Sequence, residues 1–148
     1  MTCIKQLAQL EPLVDMCEPE QVMTDSAQLL DVDLYTCTKP DLDFVSKFTI
    51  KATRTDYAHA LVCYFICEFS KTHNKLKLPT GPKNKYTHWK QTLFYLNEPL
   101  VMHEGEAING EFDVKRNAKN PRDLDINIKV DFKGKDQTFS QDRPYRLR

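Results

Sequence analysis

Glycine is scarce in this chain. The four present, Gly81, Gly105, Gly110 and Gly134, stand too far apart to share one turn. A phosphate-cradling loop needs glycines within a few residues of one another, so that bare backbone N–H groups can close on an anion. The chain therefore carries no G-x-G-x-x-G turn and no P-loop, and nucleotide sites of both kinds are excluded. An excess of one charge is also missing, since 21 Lys and Arg balance 21 Asp and Glu. Nucleic-acid binding rests on clustered cations that release counterions, so a basic nucleic-acid module is excluded. Long apolar runs are absent as well. The longest spans Ala60 to Cys67, whereas a bilayer-crossing helix needs about 20 residues; no membrane association is expected.

The cysteines are few and odd in number: Cys3, Cys17, Cys37, Cys63 and Cys67. No secretory pattern precedes them, because the first ten residues hold Lys5 but no continuous apolar stretch. Reduced thiols in a cytoplasmic or nuclear protein are expected. Cys63 and Cys67 lie four apart in what reads as one apolar strand, pointing to one face, and no second pair stands ready to complete a metal site. They read as small buried hydrophobes. His59, His73 and His103 show no ligand spacing, so no metal is expected; His59 reads as a strand residue and the other two as solvated. The lysines at 71, 75, 77, 83, 85 and 90 read as a solvated run.

What the chain does have is alternation. Leu124, Ile126, Ile128, Val130 and Phe132 alternate with Asp125, Asn127, Lys129 and Asp131, one face greasy and the other wet. Phe48, Ile50 and Ala52 alternate with Thr49 and Lys51, and Leu30, Val32 and Leu34 with Asp31 and Asp33, predicting two more strands. Tyr57 to Phe69 is apolar on both faces, as in a covered central strand. Trp89 to Leu96 is β-like. Gly105 and Gly110 bracket a turn and a short strand around Glu106 to Ile108, with another beginning at Phe112 to Val114. Lys71 to Lys85, with Pro79, Gly81 and Pro82, reads as a long exposed loop, and Arg116 to Asp123 as a polar one. Met1 to Leu10 reads as a short helix, capped by Thr2 and stopped by Pro12, too short to stand unsupported. Its abrupt start points to a longer chain upstream. Pro12 and Pro19 then make Glu11 to Gln28 an extended connection. The expected class is mainly all-β, an antiparallel β-barrel or sandwich with a short N-terminal helix.

Four segments, in order along the chain, carry a resemblance. They are Glu11-Pro12-Leu13-Val14-Asp15; Asp56-Tyr57-Ala58-His59-Ala60-Leu61-Val62, running into Tyr64-Phe65 and Glu68-Phe69; Tyr86-Thr87-His88-Trp89-Lys90-Gln91-Thr92; and Asn117 to Asp125, ending in Asp131-Phe132-Lys133-Gly134. Together with the closing Tyr145-Arg146-Leu147-Arg148 they resemble the protein arginine methyltransferases, in the branch that makes asymmetric dimethylarginine. The resemblance implies the C-terminal β-barrel half of such an enzyme. Residues 1–26 would be the tail of a dimerisation arm with its connection, and residues 27–148 the barrel. The S-adenosylmethionine domain and its guanidinium-gripping glutamates would lie in the other half, so the chain would bind no cofactor itself and be inactive alone. Implied partners are that cofactor domain, arginine-containing protein substrates and, in the parent enzyme, a second copy.

Arginine is a hard substrate. Its guanidinium has a pKa of about 13.8 and a delocalised lone pair, so a site must fix it, polarise it and receive its proton. By itself His88 reads as a loop histidine satisfied locally; the resemblance implies that it reaches across the domain interface as a proton relay or a clasp, chemistry an imidazole can perform near neutral pH. Trp89, the single tryptophan, reads on composition as a core aromatic. The resemblance implies that it walls the arginine pocket, with Tyr86 and Thr87 shaping the same loop. Two departures from the family pattern are Pro121, where Asn is commoner, and the lysine-rich approach to Tyr86, which leaves substrate preference open. A stand-alone, non-enzymatic β-sandwich binding module is the alternative. A small self-sufficient enzyme finds no support, because no nucleophile–base order or paired carboxylates stand at useful spacing.

Overall fold

The computed structural model describes residues 11–148. Nine strands dominate them: β1 Leu13–Asp15, β2 Phe44–Lys51, β3 Asp56–Cys63, β4 Ile66–Phe69, β5 Leu76–Pro79, β6 Gln91–Met102, β7 Ala107–Arg116, β8 Leu124–Lys133 and β9 Thr138–Leu147. All pairings are antiparallel. The helix expected at Met1–Leu10 lies outside the described residues.

The strands form a four-stranded sheet in the order β2-β7-β8-β9, a three-stranded sheet β1-β6-β3, and the hairpin β4-β5. The alternation read at Leu124–Phe132 works as predicted. Ile126, Ile128, Val130 and Phe132 are buried, while the outer face is zipped by polar pairs that sit opposite one another in register. Lys129 meets Glu111 at 2.9 Å, Arg146 meets Asp125 at 3.0 Å, and Ser140 donates to Asp131 at 2.8 Å. Such cross-strand pairs pin register where slippage by one residue would turn the greasy face outward. The two larger sheets face each other across Phe94, whose ring meets those of Phe112 and Tyr145 edge-on at 5.7 and 5.1 Å.

A closed barrel, one of the expected forms, is not made. Between β6 and β9 side chains replace the strand ladder: Asn97 N donates to Gln141 Oε1 at 2.9 Å, Val101 N to Gln137 Oε1 at 2.9 Å, and Tyr145 Oη to the Tyr95 carbonyl at 2.8 Å. These amides and the phenol satisfy backbone groups that a true barrel would pair with backbone.

Several predicted elements change. Leu30–Leu34 is not a strand. No neighbouring strand offers it a ladder, and Asp33 turns the chain instead, accepting from Tyr35 N on its carboxylate and from Cys37 N on its carbonyl, both at 2.9 Å. Leu34 ends 79% exposed. The run Tyr57–Phe69 is two strands, of which β3 is an edge, so Cys63 and Cys67 do not share a strand. The break falls at Phe65, whose backbone pairs with Thr80 rather than β6. The predicted loop Lys71–Lys85 contains β5, and β7 runs unbroken through Gly110, where two short strands were expected. β9 was not foreseen. His103, read as solvated, pairs with Asp136 at 2.6 Å and thereby links two turns.

Candidate functional site

Residues 81–90 form a surface loop between Thr80 and the start of β6. At its exit Lys90 N donates to the Thr87 carbonyl at 3.1 Å, closing a turn on which His88 and Trp89 are exposed. Lys90 takes φ 52°, the one left-handed non-glycine among the described residues. Its ammonium reaches the Asp15 carboxylate at 3.3 Å. Asp15 sits below the usual carboxylate range because Met16 N donates to it, with Lys90 adding to the effect.

The four residues singled out in the sequence, consecutive from Tyr86 to Trp89, lie on this loop. Trp89 is 58% exposed and Tyr86 is 55% exposed, so Trp89 is not the core aromatic that composition suggests. The indole stands edge-on to Phe65, with centroids 5.8 Å apart, and Tyr86 stands edge-on to His88 at 6.1 Å. Both are favourable aromatic geometries. His88 is exposed. Thr87 Oγ1 is buried without a hydrogen-bond partner. The four do not line the broad open groove on this side of the molecule, which reaches Tyr64, Phe65 and Gly81–Asn84 but stops short of Tyr86.

Sequence reasoning missed what anchors the loop. Gln91, buried at 6% exposure, donates from Nε2 to the Thr80 carbonyl at 2.7 Å and accepts from Cys17 N at 2.9 Å. Thr80, at 1% exposure, donates from N and Oγ1 to the Phe65 carbonyl at 3.1 and 2.8 Å. Gly81 lies beneath the Tyr64 ring, 2.7 Å from where a Cβ would stand. Gln91 was inside the Tyr86–Thr92 match, but an amide in a β-like run carries no signal that it will point inward.

No group of three or more His, Cys, Asp or Glu side chains among the described residues is placed to hold a metal, and no helix there is long and apolar enough to cross a membrane. Cys17, Cys37, Cys63 and Cys67 are free thiols. Burial pushes the Cys63 thiol up to about 12 and the Cys17 thiol upward too, so neither is a ready nucleophile at neutral pH.

A family model described as the arginine methyltransferase oligomerization subdomain matches residues 1–137. The chain belongs to the arginine methyltransferase family. It is 48% identical over 147 residues to protein arginine N-methyltransferase 1 of Caenorhabditis elegans, covering 99% of this chain and 42% of that protein. It is 47% identical over 150 residues to protein arginine N-methyltransferase 8-B of Danio rerio, covering 100% of this chain and 35% of that one. The chain thus spans less than half the length of these arginine methyltransferases. Among solved structures, it is similar to a chain of the Trypanosoma brucei PRMT1 enzyme–prozyme heterotetrameric complex with AdoHcy, at TM-score 0.95 and 40% identity, over 99% of this chain and 47% of that one. Arabidopsis thaliana protein arginine methyltransferase 10 matches at TM-score 0.87 and 17% identity over 96% of this chain and 44% of that one, a likeness of fold alone.

Proposed function

We propose that these residues are the C-terminal, substrate-side domain of an S-adenosylmethionine-dependent protein arginine N-methyltransferase, working with a cofactor domain outside them and inactive without it. The observation that carries this reading is the Tyr86–Trp89 turn. It presents two aromatic rings and an imidazole to solvent, outside the broad groove lined by the described residues. An aromatic wall of this kind suits a flat guanidinium. Trp89 and Tyr86 would bound the arginine, Thr87 would shape the turn, and His88 would take up the proton released on transfer or clasp an acidic group on the facing domain. A second copy in the assembled enzyme is part of the same proposal.

We place the cofactor outside these residues. Bound elsewhere, it would supply the electrophilic methyl group. Three of the four glycines are covered by rings of this chain: Gly81 by Tyr64, Gly110 by Phe48 and Gly134 by Phe132. None of the three offers bare backbone to a ligand. The four free described thiols suit a reducing compartment, cytoplasmic or nuclear.

Calorimetric titration of the 148-residue chain with S-adenosylmethionine tests the division of labour. No saturable heat is expected; saturation at micromolar ligand would overturn it.

A further inference from the structure

The loop 81–90 leaves the fold at Thr80 and re-enters at Gln91, and the Gln91 amide joins the two ends. Surface loops of this length keep a defined shape when their necks are closed. The other hydrogen bonds of residues 81–90 act within one limb, Asn84 N to the Gly81 carbonyl and Lys90 N to the Thr87 carbonyl, or lead to Asp15 on β1. Among the described residues, only Gln91 Nε2 to the Thr80 carbonyl ties the entry limb to the exit limb by a hydrogen bond. From Thr80 the connection runs through Phe65, whose backbone Thr80 holds on both sides, to the Trp89 indole resting against the Phe65 ring.

The chemistry of that neck is restrictive. The buried side chain must donate to a carbonyl and accept from a backbone N–H at once. A carboxamide does both, as does a protonated carboxylic acid. A carboxylate would set a charged acceptor against the Thr80 carbonyl, and a leucine would leave both backbone groups unsatisfied.

We propose that Gln91 is a positioning residue, whose buried amide closes the neck of the 81–90 loop and so sets where Trp89 and His88 stand. The meaning of this for arginine recognition rests on the function proposed above; the lock itself does not.

Trp89 is the single tryptophan, so its fluorescence and near-UV ellipticity report the loop directly in the 148-residue chain. Gln91→Leu, measured where far-UV ellipticity shows the sheets intact, should lose indole near-UV signal relative to wild type, as expected when fixed side-chain packing is released. Gln91→Glu should match it at neutral pH. It should regain the wild-type signal as the pH falls through the pKa of its carboxyl, which burial and the hydrogen bond to the Thr80 carbonyl both raise above the ordinary value of about 4.3. Each variant is compared with wild type at the same pH, which accounts for His88 and for the nearby Asp15, Glu18, Lys90 and Cys17. Gln141→Leu, at the other buried glutamine, should lower the melting temperature and leave the indole signal unchanged. Folded Gln91 variants with a wild-type indole signal would overturn the proposal. So would failure of the Glu variant to recover in acid, or loss of the sheet signal together with the indole signal. Methyl transfer is not read out, so these outcomes are separate from failure of the proposed function.

Discussion

At Gly110 the missing side chain sets how closely two strands approach. Phe48 lies opposite in register, and an added Cβ would fall 2.3 Å from its ring and 2.6 Å from the Lys129 carbonyl oxygen. The ring could move only by giving up core contacts, and the backbone oxygen cannot. Gly110→Ala should therefore destabilise the fold by about 1–3 kcal/mol, the usual cost of overpacking, read from the urea midpoint. Asp43 and Arg116 make a different residue-scale prediction. Arg116 donates to the Asp43 carboxylate from Nε, Nη2 and its backbone N at 3.0, 2.7 and 2.9 Å, holding that carboxyl at about 2. A depressed carboxyl contributes stability above its unfolded pKa, and that contribution disappears as pH falls through the folded value. Wild type should accordingly lose stability relative to Asp43→Asn between pH about 4 and about 2, with no change in the difference above pH about 5, as followed by thermal melts across that range. For His88, the proposed role predicts that His88→Ala, in a chain fused to the part of the Caenorhabditis elegans relative that this chain does not cover, lowers turnover and loosens domain docking. Unchanged rates with an unchanged melting curve would remove His88 from the mechanism.

Elements were legible wherever their own side chains settled the matter. β8 announces itself because every inward position is apolar and every outward one polar, and β2 does so nearly as well. Leu30–Leu34 carries the same signature and is no strand, because alternation specifies faces while a strand also needs a neighbour to bond. β9 was invisible for the opposite reason. Its inward line includes Gln141, which is buried to satisfy Asn97 N, and Pro144 interrupts the pattern. Membership of the β6–β9 seam is thus decided by partners far away in the chain. That seam predicts that Tyr145→Phe, which removes the donor to the Tyr95 carbonyl and the acceptor for Gln141, costs about 1 kcal/mol and leaves the core rings in place. Equal unfolding midpoints would show that the phenol does not close it.

For the whole molecule, the antiparallel β class could be read from the sequence, whereas Tyr86, Thr87, His88 and Trp89 were singled out only through the family resemblance. The buried contacts of Thr80 and Gln91 that hold that cluster could not, since neither residue type has a fixed preference for the interior. The broad exposure of apolar side chains on the groove side, Leu34, Tyr35, Phe65 and Ile66 among them, supports the proposal that this domain works against another. The proposed division of labour has this domain shape the arginine-facing wall and transfer no methyl group itself. The direct test is a methyl-transfer assay of the purified 148-residue chain with labelled S-adenosylmethionine and an arginine-rich peptide. No label above background should reach the peptide from this chain, while a full-length relative labels it in parallel. Catalytic incorporation by this chain would contradict the claim outright.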